Sequence, residues 1–445
     1  MTDDKPAPAS AHRIVIVGGG AGGLPLATAL GDKLGRRGKA AITLVDRAET
    51  HVWKPLLHEV AAGRMDAAAH DVDYLAVAYW HDFRFRQGAV GGLNRARREL
   101  KLCPVNDDDG RQILPERIVP YDTLIFCIGS TTNDFGIPGV AAHAISLDTP
   151  LDAERFHRRL LAAAVRADGE AGEGRSAHVD IVIIGAGATG VELAAEIRQT
   201  TRTHAVYGLD KLDPARDIHL TLLEAAPRIL PQLGERIAKA ATELLGRLGI
   251  AVRTGERVVA VDEEGVHTAD GAALHADLIV WAAGIQAPPL LANLDGLEVN
   301  RANQLVVAAT LQTTRDPDIF AFGDCAAAPW LGKDGALVPP RAQAARQQAA
   351  LLVHTMRARL AGSPLPEFHF RDFGSLVSLG ELSAVGNLMG RLIGGSMLIQ
   401  GLIARAMYAS LYKLHQASIH GYFRVTLDTI GRFLRRRMEP RVKLH

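Results

Sequence analysis

Two glycine clusters, and the acids that follow them, carry the most specific chemistry in this 445-residue chain. In IVIVGGGAGGLPLATAL, Gly18, Gly20 and Gly23 fit G-x-G-x-x-G directly after an apolar run. In IVIIGAGATGVELAAEI, Gly185, Gly187 and Gly190 fit it again. The first glycine of such a set permits a tight turn, the second lets a pyrophosphate approach the backbone, and the third brings helix and strand together. The amino end of the helix then offers free N–H groups and a positive dipole end to the phosphates. Asp46 and Glu224 end the apolar runs that come next, each placed to accept hydrogen bonds from a ribose. The second gap is longer than the usual ~20 residues, so TRTHAVYGLDKLDPARD reads as an insertion between helix and strand. Two fingerprints imply two dinucleotides, most simply a bound flavin and a diffusible nicotinamide, with electrons passing between them.

The elements that must hold these residues follow from local pattern. Arg13 to Val17 reads as a strand, Ala21 to Leu34 as a helix in which Pro25 falls in the opening stretch, and Ile42 to Val45 as a strand ending at Asp46. The order repeats as Val179 to Ile184, Val191 to Gln199, and His219 to Leu223 ending at Glu224. Two such units predict an α/β chain with two parallel, doubly wound sheets, that is, two Rossmann-type dinucleotide-binding domains. RADGEAGEGRSAH reads as a solvated connection between them. RVVAVDEEGVHTADGAAL predicts short antiparallel strands around tight turns. The apolar strand before Gly323-Asp324 is expected to return to the first sheet.

Composition excludes several classes. A net charge of +1 gives no global case for nucleic acid. Cys103, Cys127 and Cys325 show no paired spacing, which argues against a disulfide framework. The start, MTDDKPAPASAH, lacks a basic head and apolar core and reads as a disordered lead-in. No charge-free apolar stretch reaches the ~18 residues of a spanning helix. His58-Glu59 would need a histidine at position 62 for a zinc helix, and Ala62 stands there, so no metal is expected.

With these motifs in place, the chain resembles the type II NADH:quinone oxidoreductases, single-subunit flavoproteins that do not pump protons. The resemblance runs from about residue 12 to the carboxyl end, on THVWKPLLHEVAAG, GATGVELAAEI, FAFGDCA and RAQAARQQA. It implies non-covalent FAD at the first fingerprint, NADH as substrate at the second, and a membrane quinone as acceptor. It also implies a flavin-domain portion over 12–150, an NADH domain over 151–308, a second flavin-domain portion over 309–375 and a carboxyl module over 376–445. Asp324 would hydrogen-bond the ribityl chain, Gly129 would allow a close approach to the flavin, and Lys54 and Pro55 would lie against its ring. Pro339-Pro340 suit a helix start, whose dipole would favour the reduced flavin. Gln343 and Gln347, four apart on one helix face, would meet the quinone. Glu192 would be the active-site carboxylate, serving nicotinamide positioning or proton relay. Arg346 stands where similar proteins often carry histidine. Two rivals remain: a sulfide:quinone reductase, which needs cysteines flanking the flavin, and a flavin redox sensor that docks on membranes.

From Leu398 to Leu414, and again in VTLDTIGRFLRRRMEPRVK, apolar residues recur at helical spacing beside Arg and Lys. These read as amphipathic helices lying in a membrane interface, on the inner, cytoplasmic leaflet by resemblance. A homodimer interface is the alternative use of the same helices.

Overall fold

A computed structural model describes residues 11–172, 177–206, 211–379, 384–390, 395–400 and 402–435. The lead-in therefore lies outside the described residues up to position 10, as do Arg436 and Arg437. The chain divides into two units. One comprises residues 1–53, 71–131 and 285–371; the other comprises 54–70, 132–284 and 372–445. These divisions cut the chain at places other than 150, 308 and 375.

The first unit is built on a six-stranded sheet. Its order is Gln312–Thr313, Asp316–Ala321, Thr123–Phe126, His12–Val17, Ala40–Asp46 and Arg84–Gln87. All neighbours are parallel except the first pair. Ile14, Val15, Ile16 and Val17 are buried without alternation, as expected where helices cover both faces of a parallel sheet. The strand before Gly323-Asp324 thus joins the first sheet, pairing Leu124 with Ile319. The helix after the first fingerprint is shorter than expected, Gly23–Leu30, and continues as one wide π-helical turn over Gly31–Gly35. Pro25 stands third in that helix, where no intrahelical partner for its nitrogen is required.

The second unit holds a five-stranded parallel sheet ordered Ile145–Ser146, Leu278–Trp281, Val179–Ile184, Ile218–Glu224 and Ile250–Thr254. The alternating segment forms the antiparallel set Val258–Val261, Gly265–Thr268 and Ala273–His275. Three expectations are corrected here. The first half of the supposed connection is helical, because Pro150–Gly172 runs unbroken for 23 residues. Thr149 and Asp152 start that helix by exchanging side-chain and main-chain hydrogen bonds. The helix after the second fingerprint extends over Ala188–Val206, so the first residues of the supposed insertion also belong to it. In the carboxyl module, Leu398 and Ile399 lie in a strand. Gly374–Ser378, Ala384–Gly390 and Gly395–Gln400 form an antiparallel sheet, and the helices Leu402–His420 and Tyr422–Arg435 follow.

Candidate active site

The two glycine loops show the same division of labour. Gly18 and Gly185 have φ of +105° and +102°. A Cβ on Gly18 would lie 2.5 Å from the Cys127 carbonyl oxygen, and one on Gly185 would lie 2.6 Å from the Ala283 nitrogen. Both turns therefore press against a neighbouring strand end, and only glycine fits. Gly23 and Gly190 would place a Cβ 1.8 and 2.0 Å from the Gly18 and Gly185 carbonyl oxygens, so helix and strand touch there. Gly20 and Gly187 are different. A Cβ on either meets nothing within 4 Å. Open space at the middle glycine of an otherwise crowded loop is what an incoming pyrophosphate requires.

Asp46 and Glu224 brace these loops. Asp46 Oδ2 accepts the Gly19 N–H at 2.6 Å and Oδ1 accepts that of Ala48 at 2.9 Å. Glu224 accepts the N–H of Ala186 at 2.8 Å and of Ala226 at 2.9 Å. Each carboxylate keeps further lone pairs for a ribose. Burial pushes the Asp46 carboxyl above its usual range, against the pull of these donors. Tyr74 also donates to the Gly19 carbonyl at 3.0 Å, a contact no sequence signal announces.

Farther along the first unit, Asp324, Ser130, Gln286, Gln304, Val338 and Pro339 line one pocket. Ser130 donates to Asp324 Oδ2 at 2.9 Å. Gly129, with φ +73° and open space where a Cβ would sit, precedes it. Pro339-Pro340 lead into helix Ala342–Leu360 with Arg341 at its N-cap. On that helix Gln343 and Gln347 do share a face, and both turn toward Arg371. Gln347 clasps its backbone, donating to its carbonyl at 2.8 Å and accepting its N–H at 3.0 Å. Gln343 donates to the same carbonyl at 3.5 Å, while its own Oε1 is buried with no hydrogen-bond partner among the described residues. Gln348, passed over in the sequence, is the buried member that accepts the Gly323 N–H at 2.8 Å.

In the second unit, Lys54 pairs with Asp148 at 2.9 Å, and Asp148 also accepts the Thr132 N–H at 2.9 Å. Lys54 and Pro55 form a short 3-10 turn leading into helix Leu57–Ala61. Glu192 is buried on Ala188–Val206 and accepts the Ser378 N–H at 2.9 Å. Burial, helped by the negative charges of Glu59 and Glu196, raises its carboxyl to about 8, so it is protonated at neutral pH. His58 approaches it at 3.5 Å, and burial lowers that imidazole to about 3. The contact is therefore between two neutral groups and is no ion pair. Glu196, fully buried one turn away, is charge-balanced by both contacts from Arg64, at 2.9 and 3.0 Å.

Cys127 and Cys325 are buried, with their thiols directed at the main-chain carbonyls of Gly18 and Phe322. Burial drives Cys127 well above the normal thiol range and Cys325 up to about 12, so neither supplies a thiolate nucleophile. Among the described residues, Asp180, His275 and Asp277 lie close enough to share a cation. Their carboxylates are already committed to His178, His219 and Arg166.

The pyridine nucleotide-disulphide oxidoreductase family model matches residues 12–349. A type II NADH:quinone oxidoreductase of Haemophilus influenzae is 42% identical over 444 residues, covering 97% of this chain and 99% of the relative. The chain belongs to the type II NADH:quinone oxidoreductases. Another family member, from Mycobacterium tuberculosis, is 30% identical across 91% of the chain and 84% of its own length. Among solved structures, the family's fold recurs in the Plasmodium falciparum NDH2, determined with NADH, at a TM-score of 0.80 and 18% identity over 98% of this chain and all of that one. A sulfide:quinone oxidoreductase from Aquifex aeolicus shares the fold at a TM-score of 0.71 and 17% identity, over 92% of each chain. No helix among the described residues is long and apolar enough to cross a membrane.

Proposed function

We propose that the first glycine loop holds FAD, that the second takes NADH, and that the electrons leave to a membrane quinone. Family membership carries the reaction class: the chain is an NADH:quinone oxidoreductase. The observation that supports a dinucleotide at each loop is the open space at Gly20 and Gly187, where the first and third fingerprint glycines are closed; the resemblance to the family supports FAD at the first. FAD, when bound, supplies a centre that takes hydride and passes electrons on. On this reading residues 12–150 and 309–375 serve the flavin, 151–308 serve NADH, and 376–445 serve the membrane.

The chain's own residues divide the remaining work. Asp46 and Asp324 would hold ribose and ribityl hydroxyls, with Gly129 giving room beside them and Lys54 and Pro55 bordering the ring. Gln343 offers the quinone a side-chain amide that charges nothing in an apolar channel, and Gln347 holds the Arg371 backbone beside it. Glu192, protonated at neutral pH, carries a proton of the kind that quinone reduction consumes. The helix Tyr422–Arg435 exposes Tyr422, Phe423, Leu427 and Ile430, a face suited to the cytoplasmic leaflet, where a lipid-dissolved quinone is reached. Arginines beside that face favour an anionic surface over a second copy of the chain.

Glu224 should impose coenzyme choice. A 2′-phosphate facing its carboxylate at ~4 Å would be repelled by up to ~4 kcal/mol at an effective dielectric of ~20, and by roughly 1–2 kcal/mol once screened. Arg228 donates to the Leu233 and Pro231 carbonyls at 2.7 and 2.9 Å, which fixes its guanidinium, and the charge it keeps offsets part of that repulsion. NADH should therefore exceed NADPH in kcat/KM by roughly five- to thirtyfold, and Glu224→Gln should narrow the gap. Equal kcat/KM in both proteins removes the acid from this role.

The test of the quinone side is Gln343→Leu, followed through each half-reaction by stopped flow. Flavin reduction by NADH should keep its rate. Quinone reduction should slow roughly two- to tenfold, the worth of a hydrogen bond of ~0.5–1.5 kcal/mol. The opposite pattern would put the quinone on the wrong residues.

A further inference from the structure

Three imidazoles and two carboxylates converge at the amino ends of the strands in the second sheet, opposite the glycine loop that follows Ile184. Asp180 lies in strand Val179–Ile184, in register with His219 of Ile218–Glu224. Asp277 directly precedes Leu278–Trp281, and its Oδ2 accepts the Asp180 N–H at 2.9 Å. Asp180 Oδ2 lies 3.2 Å from His178 Nε2, and Oδ1 lies 2.8 Å from His219 Nδ1. The rings of His178 and His219 stack with centroids 5.5 Å apart. His275, the last residue of strand Ala273–His275, joins the group: one ligand atom each from Asp180, His275 and Asp277 falls within 4.8 Å of the others. The carboxylates are mostly covered, while the imidazoles of His178 and His219 stay about half exposed, which leaves a way in.

Two of the rings are set as metal-bound imidazoles are. His275 Nδ1 lies 2.9 Å from the Glu264 carbonyl, and His219 Nε2 lies 3.0 Å from the Arg216 carbonyl. A carbonyl only accepts, so each of these nitrogens carries a ring proton, and the other nitrogen of a neutral ring presents a lone pair. In His219 that lone pair faces a carboxylate oxygen at 2.8 Å. Acceptor facing acceptor requires a positive centre there, either a second ring proton or a metal ion. The bonds already made by the acids do not block a cation, because a carboxylate has about four lone-pair sites. Arg166, at 2.7 Å from Asp277, is the kind of outer contact that orients a ligating carboxylate.

We propose that His178, Asp180, His219, His275 and Asp277 form a site for a zinc-class divalent cation, which ties the strand starts to the antiparallel set ending at His275. Mixed imidazole and carboxylate donors suit Zn²⁺ and its first-row neighbours, whereas Ca²⁺ and Mg²⁺ prefer oxygen alone. Separations of 2.8 and 3.2 Å between nitrogen and oxygen are also those of neighbouring ligand atoms around an ion with bonds of about 2.0–2.1 Å. An ion held by the folded unit stabilises it by mass action.

The experiment uses the full-length, flavin-loaded enzyme, stripped with a chelator and titrated with zinc chloride by calorimetry, with thermal unfolding in parallel. A single equivalent should bind, Tm should rise by several degrees at saturation, and calcium or magnesium chloride should do neither. X-ray absorption at the zinc edge should show imidazole and carboxylate ligands at about 2.0–2.1 Å. The double change of His178 and His219 to alanine should weaken zinc binding about tenfold or more, and so should His275→Ala by itself. His267→Ala should not, because that ring pairs with Asp262 instead. Unchanged NADH turnover in the metal-free variants shows that the fold survives. No zinc binding, zinc binding undiminished in both cluster variants, or an equal response to calcium overturns the proposal.

Discussion

Gly187→Ala is expected to leave the fold intact, or slightly more stable, while weakening NADH binding roughly ten- to a hundredfold. Gly187 has no positive φ, and its added methyl would meet nothing within 4 Å. Replacing an unstrained glycine by alanine stabilises by ~0.4–1 kcal/mol through the unfolded chain. A methyl forced into the space a pyrophosphate needs costs ~1–3 kcal/mol. Stability and binding should therefore move in opposite directions, which unfolding by mischief elsewhere cannot imitate. Gly20→Ala should repeat the pattern for the flavin: purified protein of normal thermal stability in its apo form, but depleted of yellow colour, with NADH binding retained. Gly23→Ala and Gly190→Ala form the contrast, since their methyls would collide with carbonyl oxygens at 1.8 and 2.0 Å and should damage the fold itself. The checks are thermal unfolding, flavin absorbance and NADH affinity. If Gly187→Ala loses flavin and keeps NADH, the two loops have been assigned the wrong way round.

A triple change of Phe423, Leu427 and Ile430 to serine should reduce binding to anionic liposomes by about a hundredfold while sparing NADH oxidation with a water-soluble quinone. These side chains are 76%, 54% and 54% exposed, so no core is opened. Burying such a side chain contributes ~1.5–3 kcal/mol. Partial insertion of three, worth about 3 kcal/mol together, corresponds to about two decades in partition. High salt should release the wild type only in part, because the apolar contribution is not screened. Unchanged sedimentation with liposomes would remove the helix from membrane docking. Surface changes are the sharper tool than truncation after residue 376, which would also strip the Ser378 N–H from Glu192.

Local geometry made the two glycine loops readable. A strand, three spaced glycines, a helix and a terminal acid admit few arrangements, and the structure builds both sets alike. The same acids show where pattern stops: that Asp46 and Glu224 first brace Gly19 and Ala186 depends on side-chain rotamers that no spacing encodes. RADGEAG reads as a solvated connection because of its Gly, Glu and Ala content. At ~1 kcal/mol apiece, exposed helical glycines are tolerated within a helix of 23 residues. The sheet at Gly374–Ser378, Ala384–Gly390 and Gly395–Gln400 was hidden for the opposite reason. GSLVS, AVGNLMG and GSMLIQ do not alternate, and strand formation there is decided by pairing partners. Gln343, Gln347 and Gln348 look equivalent in RAQAARQQA. Only tertiary contact distinguishes the clasp of Gln347 on Arg371 from the brace of Gln348 on Gly323.

The central claim is that electrons enter from NADH and leave to quinone, and anaerobic titration of the purified flavoprotein tests it most directly. Substoichiometric NADH should bleach the flavin absorbance in proportion to the amount added, and a quinone analogue added afterwards should restore it in full. Sulfide should leave the spectrum unchanged, because Cys127 and Cys325 are buried thiols held far above their normal range. Bleaching by sulfide with no response to NADH, or NADH-reduced flavin that quinone fails to reoxidise, would contradict the account.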